Sequence, residues 1–131
     1  MRKKWMTTFG AITDDPIALM AIANSELGNA KTPIDVRQAA EKAHLAMSSA
    51  VEVATRATIN SADEERLGVL AISRWLRDPQ VVEDFKKLRS AFHGKRFHGD
   101  KCPTAFALSN DFGKAEALIE RMLRARKRHK K

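Results

Sequence analysis

PIDVRQAAEKAHLAMSSAVEVATRA, residues 33–57, is the stretch whose reading decides the fold. After Pro33 it contains neither glycine nor proline. Val36, Ala39, Ala40, Ala43, Ala46, Met47, Ala50, Val51 and Ala54 recur at the spacing of one helical face. Arg37, Glu41, His44, Ser48, Glu52 and Thr55 fall on the opposite side. An apolar stripe this wide must be covered by other elements, and its small side chains let them approach closely. The pattern predicts an all-α, single-domain helical bundle of about five helices, with this stretch as its central member.

Helix boundaries follow on both sides. Thr32 and Asp35 have the spacing of a capping box at the start of the central helix. Upstream, Asp15 suits an N-cap and Pro16 the first turn, where its missing N–H costs nothing. Gly28-Asn29 marks the end of that first helix. Downstream, Ser61 and Glu64 repeat the cap pattern before a third helix over about 62–76. There Leu67, Val69, Leu70, Ala71, Ile72, Trp75 and Leu76 cover most of the circumference and predict a well-buried helix. Asp78-Pro79 breaks the chain, and Val81, Phe85, Leu88 and Phe92 carry a fourth helix from near Pro79. A basic loop is expected over 94–104. A last helix follows over about 105–126, with Leu108, Phe112, Ala115, Leu118, Ile119, Met122 and Leu123 inward. Residues 1–13 read as an arm, 14–126 as the bundle and 127–131 as a basic tail. No β-hairpin signal is present.

The totals fit one domain with a proper core: 131 residues, 44% hydrophobic and 31% charged. No apolar run approaches the ~20 residues of a membrane span, and the basic start lacks the apolar segment of a secretory signal. A single cysteine, Cys102, has no internal disulfide partner, which points to a reducing, cytoplasmic setting. The net charge of +8 is concentrated at the ends. Residues 124–131 hold six lysines and arginines, including Arg124, Arg126, Lys127 and Arg128, and residues 2–4 hold three more, leaving the middle at −1. Basic ends attract polyanions through a salt-screened field, or serve only as a solvated helix end.

Titratable groups concentrate at Lys86, Arg89, His93, Lys95, Arg96, His98, Asp100 and Lys101. Arg89 and His93 are four apart and share a helix face. Imidazole moves protons near neutral pH, and guanidinium offers paired donors to phosphate. That combination suits phosphodiester contact, and cleavage if a base and a cation meet at the developing charge. The bland alternative is a solvated basic loop. His93, His98, Asp100 and Cys102 can be drawn as a metal site, but they lie among four cations without a second cysteine, so no metal is expected. His44 reads as a surface or partly buried histidine. Phosphate-cradling glycine loops are missing, and no cofactor is expected.

The arrangement resembles HEPN-type helical domains, including archaeal repeat-family relatives, over about residues 37–124. The resemblance rests on Ala40-Glu41-Lys42-Ala43, on Leu88-Arg89-Ser90-Ala91-Phe92-His93 and on Ala115-Glu116-Ala117-Leu118-Ile119. It implies a homodimer that handles RNA or another phosphate-bearing ligand. Catalytic members are metal-independent ribonucleases with four to six residues between Arg and His. Arg89 and His93 have three residues between them here and Arg89 and His98 have eight, so the resemblance implies a non-catalytic binder, with these three as the candidate residues should cleavage occur.

Two rivals stand beside it. Residues 36–56 can be aligned with a DNA-binding helix-turn-helix, with a turn at His44 and Ser48, Ser49 and Glu52 facing the groove. Alternatively the chain is an accessory subunit whose Trp5, Phe9 and alanine stripe meet a protein partner.

Overall fold

Asp15 accepts a hydrogen bond from the Ile17 N–H and starts helix α1, Pro16–Gly28, with Pro16 in its first turn. The computed structural model describes residues 5–6, 12–13, 15–93 and 105–129, with side chains over 15–92 and 105–125. Thr32 and Asp35 form a complete capping box for α2, Pro33–Thr55. The Asp35 carboxyl is held below its ordinary pKa, first by the Lys31 backbone N–H. Ser61 accepts from the Glu64 N–H and opens α3, Ala62–Leu76. Asp78 accepts from the Gln80 N–H at the start of α4, Gln80–His93. The last helix, α5, spans Ala105–His129 and so runs into the segment read as a tail.

These five helices make the expected all-helical bundle. At the N-terminus, Trp5–Met6 pairs antiparallel with Ile12–Thr13. Two residues a side are too few to show the alternation by which a hairpin is read from sequence. The 94–104 loop expected between α4 and α5 lies outside the described residues.

α2 is the spine and touches each of the other four helices, most extensively α1 and α5. Ala39, Ala40, Ala43, Ala46, Met47, Ala50, Val51 and Ala54 are fully buried along it. Phe92 of α4 and Phe112 of α5 meet edge to face, with ring centroids 5.3 Å apart. Such a pair adds ~0.5–1.5 kcal/mol beyond its buried area. Arg121 of α5 donates to Asp84 at 2.7 Å and to Asp78 at 2.9 Å, tying α5 to the α3–α4 junction and to α4.

Two expectations are corrected. α2 is unbroken across His44, so the helix-turn-helix alignment over 36–56 fails. Ser49 and Glu52, which it would have turned toward DNA, are buried. Glu52 instead accepts a hydrogen bond from the Ile59 N–H at 2.8 Å and fastens the α2–α3 connection. α3 is not buried all round: Leu67 is 57% exposed, and the buried positions are Glu65, Val69, Ile72 and Ser73. That spacing is one helical face, because α3 lies at the side of the bundle rather than within it.

Gly68 explains how closely α3 meets α2. A Cβ there would stand 2.6 Å from Cγ1 of Val51. The helices meet through bare backbone at that point.

Candidate functional site

The polar side of α2 is covered by α3 and α4. His44 and Ser48 are one turn apart, so both reach the same neighbour. That neighbour is Glu65, one turn into α3, whose side chain is only 7% exposed. Ser48 Oγ donates to Glu65 Oε2, and His44 Nε2 stands 3.3 Å from the same oxygen. Arg89 Nε, from α4, lies 3.2 Å from Oε1. One carboxylate thus gathers groups from two other helices.

Burial pushes the Glu65 carboxyl up. Hydrogen bonding from His44 and Ser48, with the positive charge of Arg89, outweighs it and holds the carboxyl below its ordinary pKa. Glu65 is therefore favoured as an anion beside these groups, which suits anchoring rather than proton transfer. Its effect is to hold Arg89, still 42% exposed, against one wall of a groove.

That groove runs between α3 and α4 and has a volume of about 440 Å³. Val69, Val82 and Phe85 supply apolar lining, and Arg66, Lys86 and Arg89 supply cations. Asp63 and Glu65 are its acids.

Of the residues singled out from the sequence, the structure brings Lys86 and Arg89 together on this groove. His93 closes α4, but its side chain lies outside the described residues, as do Lys95, Arg96, His98 and Lys101 entirely. Arg124 is exposed on α5. Arg126, Lys127 and Arg128 continue the helical backbone, and their side chains lie outside the described residues. The metal reading of His93, His98, Asp100 and Cys102 falls outside as well. Among the described residues no three His, Cys, Asp or Glu come together as metal ligands, and no helix is long and apolar enough to cross a membrane.

Sequence reasoning missed Glu65, Ser48 and the part played by His44. A signal existed: His44, Ser48 and Glu52 recur at four-residue spacing on a helix that the alanine stripe already showed to be central. Comparison of the chain with family models, curated proteins and solved structures finds no match.

Proposed function

We propose that this HEPN-like bundle binds RNA, or another polyanion bearing phosphates, without cleaving it. One observation carries the reading: Lys86 and Arg89 of α4 stand with Arg66 of α3 at a single groove. The helical C-terminal end of α5 supplies a second run of cations at Arg124, Arg126, Lys127 and Arg128. The partner of Arg89 supports the reading without cleavage. A guanidinium held on a buried carboxylate is positioned to bind, and it is less available to meet charge developing at phosphorus.

Gel shifts with a single-stranded RNA at about 50 and 200 mM salt test the reading. Removing residues 124–131 is expected to lower the salt slope by several units, and Lys86→Ala by ~0.7, the value for one phosphate contact on a single strand. Unchanged affinity and slope in both variants would overturn it.

Large exposed apolar side chains favour a second reading, a homodimer or an accessory role on a protein partner. Phe106 is 90% exposed, and Ile17, Ile34 and Leu67 are each more than half exposed. Light scattering of the wild-type chain and Phe106→Ser tests it, with a shift from dimer to monomer as the expected outcome. Both readings are compatible with a cytoplasmic setting.

A further inference from the structure

The α3–α4 groove has a lining that phosphate contact alone does not use. Its volume of about 440 Å³ falls within the ~300–1,000 Å³ of small-ligand sites. Val69, Val82 and Phe85 give it an apolar wall. Among the described residues its charges are Asp63 and Glu65 against Arg66, Lys86 and Arg89, one net positive charge. Two of these cations are answered locally. Arg89 is held on Glu65 at 3.2 Å, and Arg66 stands 4.0 Å from Asp63. Lys86 makes no ion pair with any described residue. Among the described residues, the only uncharged polar side chain in the lining is Ser90, too little to read the edge of a nucleobase, which needs several donors and acceptors.

We infer that the groove binds a small amphipathic monoanion: a carboxylate head at Lys86 and Arg89, with an alkyl or single-ring aryl body along Val69, Val82 and Phe85. A single negative charge restores neutrality in the groove, where the dianion of a phosphate monoester would overshoot it. The apolar body covers what of this wall is still open to water, chiefly Val82, since Val69 and Phe85 are already buried, and the gain is proportional to the area covered. Glu65 acts as a positioning residue, because it fixes the guanidinium that meets the head group. This inference shares Lys86 and Arg89 with the RNA reading but adds the apolar wall, which a run of phosphates does not need.

The test is titration of the full chain with octanoate, followed by amide shifts in nitrogen-15 NMR spectra. Saturable shifts are expected on α3 and α4. Octanol, which has the body without the charge, is expected to bind about tenfold more weakly, or ~1.4 kcal/mol. Lys86→Glu should weaken octanoate by at least about tenfold. Lys86 is exposed, so this change leaves the core intact, and an unchanged octanol affinity in the variant verifies that the groove is still formed. Octanol binding as tightly as octanoate would overturn the inference. So would octanoate binding that ignores Lys86→Glu, adenosine monophosphate binding as tightly as octanoate, or shifts confined to other helices. Gel shifts on the same samples separate the two readings: RNA retained with octanoate ignored overturns this inference alone.

Discussion

The two sides of α2 are buried by opposite means. On one, Ala39, Ala43, Ala46, Met47 and Ala50 are covered completely, and what is required of them is shape. On the other, His44, Ser48 and Glu52 are covered by α3, α4 and the α2–α3 connection, and what is required is a partner for each polar atom. Apolar burial is non-directional and tolerates substitutions that conserve volume. Polar burial is directional, and a lost partner leaves a desolvated group behind. The same helix therefore meets two different tests of fitness around its circumference.

The largest effect should come from the apolar side. Met47→Ala removes a side chain with no exposure, and urea melts are expected to show a loss of ~2–5 kcal/mol. A loss below ~1 kcal/mol would mean that the bundle collapses around the gap and that shape matters less than argued.

The polar side should respond less in size but differently with pH. Glu65→Gln keeps the shape and removes the charge that gathers His44, Ser48 and Arg89, at an expected ~1–3 kcal/mol near neutral pH. The folded-state pKa of Glu65 lies below its ordinary value of 4.5. The unfolded chain therefore binds the proton first as pH falls. The stabilisation from the wild-type carboxylate is full above 4.5 and lost as pH drops through the lower folded value. The gap between Glu65→Gln and wild type should accordingly narrow in melts at about pH 3.5 compared with about pH 7. A gap independent of pH would show that Glu65 acts through its shape, and the contrast between the two sides would dissolve.

The smallest predicted effect lies on the seam where α3 meets α2. Gly68→Ala gains ~1 kcal/mol of helix propensity but pushes a methyl against Val51, an overpacking cost of ~1–3 kcal/mol. A net loss of ~1 kcal/mol is expected. In the Val51→Ala background the contact is relieved, and Gly68→Ala should turn stabilising. A double-mutant cycle that shows simple additivity would deny the close approach.

What was legible in the sequence follows the same division. The caps at Asp15, Thr32 and Ser61, the Asp78-Pro79 break and the alanine stripe act through neighbours in sequence or through periodicity, and each stands where it was expected. Glu65 was hidden because its partners lie 17 and more residues away in the chain. A charged residue in the first turn of a helix is ordinarily read as solvated and favourable to the dipole. The burial of Glu52 was hidden for a similar reason, since its acceptor role becomes visible only once the chain turns back at Ile59. That Lys86 and Arg89 stay near solvent was legible because a cation on the polar side of an amphipathic helix does so whatever packs behind it.

The bare backbone at position 68 also works as a spacer of zero thickness. α3 is one wall of the groove, and its standoff from α2 is set by what occupies that position. A graded series of alanine, serine and valine would shim the wall outward by steps. The width available to anything lodged beside Lys86 is thus governed by a residue on the far side of α3, away from whatever it would hold.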